Sequence, residues 1–272
     1  MSEDFPLMNY LTIDGSKIRY LDYKTSRLKT SETIIMLHGL GASAERWERV
    51  APKLADYFRI IVPDIIGFGY SDKPTIEYNS EFFIKFLNNF VNRLKLKDIN
   101  IIGSSFGGYI ALEYALKYRK KTKSLILVSP AGLMKNSTDA LNDYMTAAIY
   151  PNYNNVKKAY SEMSFDTKIV TDESIKDFIN RMRLENSKYS FMSTIMSLKN
   201  TENITEKIKN FKVPTLLIWG ENDKLIPVKY GNEYQKILNC ELKIIESCGH
   251  TPFLEKPKEF VSIIRNFLIN IS

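Results

Sequence analysis

Ser105 lies in Gly103-Ser104-Ser105-Phe106-Gly107-Gly108, between an apolar run of strand length (99–102) and a helical pattern (107–118). Centred on Ser105 the spacing is Gly-x-Ser-x-Gly; centred on Ser104 the second glycine is missing. A strand that turns sharply into a helix forces the residue at the turn into strained backbone, and small residues two positions either side let the chain pass without collision. Such a turn lifts the Ser105 hydroxyl above the sheet. It also sets the Phe106 amide at a helix N-terminus, where it can stabilise an oxyanion. A Gly/Ser-rich turn can also be purely structural or cradle a phosphate, so the chemistry depends on what else meets it.

A neutral serine hydroxyl needs an adjacent base, most often histidine. The chain has two histidines. His250, in Cys248-Gly249-His250-Thr251-Pro252, follows the last strand-like run, and loops at the carboxyl ends of parallel strands are where such sheets place their sites. His38, in His38-Gly39-Leu40-Gly41, reads as a structural residue that ties its loop to neighbouring backbone. The Leu40 amide is the expected second oxyanion donor, opposite Phe106; one such donor contributes about 3–4 kcal/mol in the transition state. The acid should follow a strand and precede the histidine. Asp223, in Trp219-Gly220-Glu221-Asn222-Asp223-Lys224, does both and could hold the imidazole in one tautomer. Glu221 is a rival two residues away. The segment past the 124–128 run holds Ser129-Pro130-Ala131 and offers no carboxylate. Serine, histidine and aspartate together imply acyl transfer with no metal and no organic cofactor.

The elements that would position these groups alternate. Residues 9–13 and 18–23 are β-prone runs around Asp14-Gly15-Ser16, a hairpin signal. Strand-length apolar runs follow at 33–37, 59–62, 99–102, 124–128, 215–219 and 242–245, several with few polar interruptions, as strands buried on both faces should be. Residues 80–96 carry Phe82, Phe86, Phe90 and Leu94 at helical spacing, with Ser80 as the expected N-cap. Residues 107–118 and 259–269 give two more helices. Strands alternating with helices predict an α/β fold: a mainly parallel sheet with helices on both faces. The alternation breaks at 133–210, where two helix-like segments (141–148 and 174–185) and no strong strand appear. The expected organisation is a core of 1–132 and 211–272 with a helical cap insertion at 133–210.

Of the 272 residues 44% are hydrophobic and 25% charged, ordinary globular usage. The net charge of +7 admits an anionic partner, but the basic residues are spread along the chain. The densest cluster (Arg119, Lys120, Lys121, Lys123) follows a helix, whose dipole it complements. No nucleic-acid reading motif appears. Cys240 and Cys248 flank a strand and make neither a disulfide framework nor a metal spacing. Glu3, Asp4 and Pro6 replace the basic start and apolar run of a signal peptide, and no apolar stretch approaches the ~18 residues of a bilayer span. A cytoplasmic protein without stable membrane insertion is expected, compatible with a homo-oligomer.

Five motifs carry a family resemblance: His38-Gly39-Leu40-Gly41; Pro63-Asp64-Ile65-Ile66-Gly67-Phe68-Gly69-Tyr70-Ser71-Asp72-Lys73-Pro74; the Ser105 turn; Trp219 to Asp223; and Gly249-His250-Thr251-Pro252-Phe253-Leu254-Glu255-Lys256-Pro257. In this order they resemble the cap-bearing branch of the α/β-hydrolase superfamily, with nucleophile, acid and histidine in the family sequence. The resemblance implies an α/β-hydrolase fold and a serine hydrolase with Ser105, Asp223 and His250 as its triad, acting on a small-molecule ester-like substrate. Related branches with an aspartate nucleophile are disfavoured by Ser105. One serine branch holds carboxylesterases and acylglycerol lipases. A second cleaves C–C bonds in vinylogous diketone products of aromatic ring fission; its members commonly carry a tryptophan after the catalytic histidine, where this chain has Thr251, and an arginine in the cap. Arg181 and Arg183 are candidates for that arginine, a solvated helix face being the other reading. A third reading is a ligand receptor with a retained triad. Met145, Tyr150, Tyr153, Tyr160, Met163, Phe165, Phe191, Met192 and Met196 would give the cap a moderately apolar pocket.

Overall fold

The computed structural model describes residues 6–24, 32–199 and 204–271; Glu3 and Asp4 lie outside them. Strands β1 (Leu7–Ile13) and β2 (Ser16–Tyr23) form a hairpin. Asp14 and Gly15 both take positive φ, the backbone that a two-residue turn needs to match strand twist. Then come β3 (Thr33–Leu37), helix α1 (Ala51–Ala55), β4 (Arg59–Pro63), α2 (Ser80–Arg93), β5 (Ile99–Ser104), α3 (Phe106–Lys117) and β6 (Thr122–Val128). Helices α4 (Asp139–Ile149), α5 (Tyr153–Met163), α6 (Asp172–Met182), α7 (Ser187–Lys199) and α8 (Ile204–Ile208) separate β6 from β7 (Thr215–Gly220). Helix α9 (Lys229–Leu238), β8 (Glu241–Ile245), α10 (Pro252–Glu255) and α11 (Pro257–Asn270) complete the described chain.

The eight strands make one sheet in the order β1-β2-β4-β3-β5-β6-β7-β8. β1 and β2 pair antiparallel, β2 pairs antiparallel with β4, and the rest of the ladder is parallel. Alternate side chains feed two cores, as a strand period of two requires. Ile35, Leu37, Ile101, Leu127 and Trp219 face α2, α3, α9 and the helices after β6. Ile34, Met36, Ile102, Val128 and Ile218 face α1, α11 and Trp47. The register aligns the strand ends: Leu37 lies opposite Gly103, Ser104 opposite Val128, Val128 opposite Ile218, and Gly220 opposite Ile245. The loops holding His38, Ser105, Asp223 and His250 therefore leave one edge of the sheet together.

Local details depart from the sequence-based expectation. The N-cap of α2 is Asn79, whose side chain accepts the Phe82 N–H at 3.0 Å, so Ser80 is the first helical residue. The helix stops at Arg93, three residues early, where Lys95 takes φ 54°. α5 and α7 fall outside the two helix-like segments expected between β6 and β7. The first opens with Tyr153-Asn154-Asn155 behind an Asn152 cap. The second is rich in serine and is held by burial of Ser190, Phe191 and Thr194. Among the basic cluster, Lys121 donates to Asn88 and Asn92 and Lys123 pairs with Glu32. Among the described residues no helix is long and apolar enough to cross a membrane, and no group of three His, Cys, Asp or Glu could hold a metal ion.

Candidate active site

Ser105 joins β5 to α3 at φ 54° and ψ −117°, a backbone region that a residue with a Cβ occupies only when its surroundings enforce it. Those surroundings are visible. The Ser105 N–H donates to Val128 O at 2.9 Å, and its carbonyl accepts from Tyr109 and Ala131 N–H at 3.1 and 3.0 Å. The flanking glycines are steric necessities. A Cβ on Gly103 would lie 2.4 Å from Gly107 O, and one on Gly107 would lie 2.4 Å from the carbonyl oxygens of both Leu37 and His38.

Asp223 and His250 leave β7 and β8 on neighbouring loops joined by the Asn222 N–H to Cys248 O bond at 2.9 Å. Both are buried, 4% and 2% exposed. Asp223 Oδ2 lies 2.7 Å from His250 Nδ1, and its Oδ1 accepts the Leu225 and Ile226 amides, each at 2.9 Å. Two backbone donors thus aim the carboxylate. Nδ1 must carry the proton that the carboxylate accepts, which leaves Nε2 as the basic nitrogen of the neutral ring. The rival acid Glu221 is exposed and accepts only the Ser247 N–H, at 3.4 Å.

His250 and Ser105 line one cavity of about 630 Å³, and Leu40 and Phe106 line it with them. Phe106 opens α3, so its N–H has no carbonyl one turn behind it. The Leu40 loop runs against the serine: a Cβ on Gly39 would lie 3.5 Å from Ser105 Cβ and 4.0 Å from its Oγ. His38 is fully buried and fastens that loop, donating from Nδ1 to Gly39 O at 2.8 Å and accepting the Ile65 amide at Nε2 at 3.0 Å. Burial pulls its imidazole below the ordinary histidine range.

Several contributors had no sequence signal. Tyr144 of α4 donates its hydroxyl to Leu40 O at 2.5 Å. The His250 N–H donates to Met163 O at 2.7 Å. Glu255 accepts the Gly249 N–H at 3.0 Å and the Phe165 and Asp166 amides at 2.8 and 3.1 Å, so the histidine loop is stitched to the end of α5. Burial pushes the Glu255 carboxyl above the usual carboxylate range, against the pull of those backbone donors. Long-range bonds of this kind join residues about 90 positions apart, and no local pattern announces them.

The two arginines that are candidates for binding a substrate carboxylate do not line the cavity. Arg181 is buried in an ion pair with Asp177, one helical turn away on α6, and Arg183 is exposed. The helix turns both side chains away from the lining, whose cations are Arg46, Lys135 and Lys199. Of the methionines and aromatics expected to shape the pocket, Met145, Tyr160 and Met163 line it. Phe191 is buried against Gly41, and Tyr150, Tyr153, Phe165, Met192 and Met196 are exposed.

A hydroxyl on a strained turn, an imidazole with a free basic nitrogen and two amides beside one apolar cavity can together perform acyl transfer. The family of the alpha/beta hydrolase fold matches residues 32–157 and 146–257. The chain is 26% identical to 2-hydroxy-6-oxo-6-(2'-aminophenyl)hexa-2,4-dienoic acid hydrolase of Metapseudomonas resinovorans, over 98% of this chain and 92% of that protein. It is 29% identical to Lipase 1 of Psychrobacter immobilis, over 93% of this chain and 80% of the other. The solved meta-cleavage product hydrolase from Pseudomonas fluorescens IP01 shares the fold with a TM-score of 0.87 at 23% identity, covering 97% of this chain and 98% of its own. The chain therefore belongs to the alpha/beta hydrolase fold family, and hydrolase activity is supported by that membership.

Proposed function

We propose that the protein is a serine hydrolase cleaving carboxylic esters of moderately apolar small molecules through an acyl-enzyme on Ser105. The observation that carries this reading is the 2.7 Å His250–Asp223 bond at the cavity that Ser105 lines. His250 Nε2 takes the Ser105 proton as Oγ attacks the carbonyl carbon. The Leu40 and Phe106 amides hold the developing oxyanion. The same histidine protonates the departing alcohol, then activates a water that releases the acid and regenerates the serine. The helices after β6 act as a cap: Leu141, Met145, Tyr160 and Met163 supply apolar wall above the serine and exclude water from the acyl-enzyme.

A second reading, cleavage of a C–C bond in a vinylogous diketone acid, is favoured by the similarity to the Metapseudomonas resinovorans hydrolase. Thr251, next to His250, stands against it, since it occupies the position where that branch commonly carries tryptophan.

Ser105→Ala is the decisive variant. Turnover of p-nitrophenyl butyrate should vanish, and labelling by a fluorophosphonate should vanish with it, in a protein whose Tm stays within a few degrees of wild type. Turnover surviving in that variant would move the nucleophile elsewhere. Rapid cleavage of ring-fission acids beside negligible ester turnover would favour the second reading.

A further inference from the structure

One half-buried cation in the cavity wall makes no ion pair among the described residues. Arg46 sits on the 3-10 turn Ala44–Trp47, just after the Leu40 loop, and lines the cavity together with His250 and Thr251. It is half-buried, and its guanidinium lies over the Tyr160 ring at 5.5 Å. Among the described residues its guanidinium makes no hydrogen bond and no ion pair. Three other arginines withdrawn from solvent are paired, Arg19 with Asp64 and Glu45, Arg59 with Asp22 and Arg181 with Asp177, whereas Arg265, half-buried over the Tyr57 ring, resembles Arg46 but lies outside the cavity lining. Of the neighbouring acids, Glu45 is taken by Arg19, and Glu48 is exposed and feels the Arg46 charge without forming an ion pair with it.

Taking a guanidinium partly out of water without a counter-ion is unfavourable, and an anion that fills the site recovers the loss. Among the described residues the lining holds no Asp or Glu, while Lys135 and Lys199 add positive charge from exposed positions. An anion entering this cavity meets three cations, and no carboxylate among the described residues. Much of the remaining wall is apolar, with Leu141, Met145, Ile195 and Leu198 among it, so the charge on a ligand must be confined to one end.

We propose that Arg46 binds a carboxylate on the substrate, so that the ester this protein hydrolyses is an amphipathic monoacid. This rests on the ester reading above. The planar guanidinium can take a carboxylate bidentately, which a lysine cannot reproduce. Lys135 and Lys199 attract the anion toward the opening in a salt-dependent way.

Three esters and one inert ligand test it. Neutral 4-nitrophenyl butyrate is compared with mono-4-nitrophenyl suberate, which carries its acid on the acyl side, and with 4-carboxyphenyl butyrate, which carries it on the alcohol side. In wild type, kcat/KM for one of the two acids should exceed that for the neutral ester. In Arg46→Gln that preference should fall tenfold or more, mainly through KM, and Arg46→Lys should restore part of it. Thermal melts check that the variants are folded. A preference unchanged in Arg46→Gln for both acids would overturn the proposal. The binding arm needs no turnover. Ser105→Ala should bind monomethyl suberate by calorimetry, and adding Arg46→Gln should weaken that binding tenfold or more. Equal affinity in the two proteins overturns the role of Arg46 even if esters are cleaved. Arginine-dependent binding beside a wild type inert to all three esters supports Arg46 and sinks the ester reading instead.

Discussion

His38 and His250 both follow a parallel strand of the same sheet, and both are buried. Their ring nitrogens meet different things. His38 spends both on backbone, Nδ1 on Gly39 O and Nε2 on the Ile65 amide. His250 meets a carboxylate at Nδ1, and its Nε2 has no partner among the described residues. Its ring lines the cavity, whereas that of His38 does not. Burial and position at a strand end are common to the two, so neither makes a base. What separates them is an acid that fixes the tautomer and a second nitrogen left open. Asp223 supplies the first because two amides, from Leu225 and Ile226, hold its other oxygen.

The largest effect that could break this contrast is on turnover. His250→Gln should lower kcat for p-nitrophenyl butyrate by about a million-fold, the scale seen when one member of such a unit is removed. His38→Gln should act chiefly on stability. A His250→Gln protein within tenfold of wild type would end the distinction. Asp223→Asn comes next, with a fall of about ten thousand-fold, because an amide at that position no longer enforces Nδ1–H. Glu221→Gln should leave the rate within twofold, as Glu221 is exposed and far from the ring in its bonding. A large loss in Glu221→Gln with a small one in Asp223→Asn would reverse the assignment of the acid.

The same contrast explains what could be read from the chain alone. The strand-turn-helix at Ser105 was legible because sterics at Gly103 and Gly107 leave few alternatives. The alternation of apolar runs with helices specified the parallel sheet for a similar reason, since strands buried on both faces have little freedom of composition. Asp223 and His250 followed from order along the chain and from having few rivals. The helices between β6 and β7 were not legible in detail. α5 follows an Asn152 cap and buries Val156, Ala159, Tyr160 and Met163 at helical spacing, whereas α7 lacks a strong apolar period and is held by packing. Arg181 and Arg183 lie off the cavity for a related reason. Sequence indicates that a helix carries Arg181 and Arg183, but which way that helix turns its side chains is decided by its neighbours. Nothing local marks Arg46 either; its significance lies in its half-buried place in a lining that holds no carboxylate among the described residues.

The smallest effect concerns His38, and it sharpens the contrast by pH. Replacing His38 with glutamine should cost about 1–3 kcal/mol at pH 8 by disturbing a buried backbone amide, or a drop of several degrees in Tm. Burial keeps the His38 imidazole below its ordinary range, with Asp64 working in the opposite direction. The unfolded chain therefore takes up a proton near pH 6.5 that the folded protein resists. The stability contributed by the neutral ring is complete above that pH and is lost as the pH falls below it, at no more than about 1.4 kcal/mol per pH unit for one proton. Glutamine does not titrate, so the Tm gap between wild type and His38→Gln should narrow as the pH falls from 7.5 to 5.5. Melts of both proteins across that range measure it directly. A gap constant with pH would mean that His38 accepts a proton in the folded protein as readily as in the unfolded chain. The loop that carries Leu40 would then owe its position to Tyr144 and to the bond at Gly39, and not to a ring held neutral by burial.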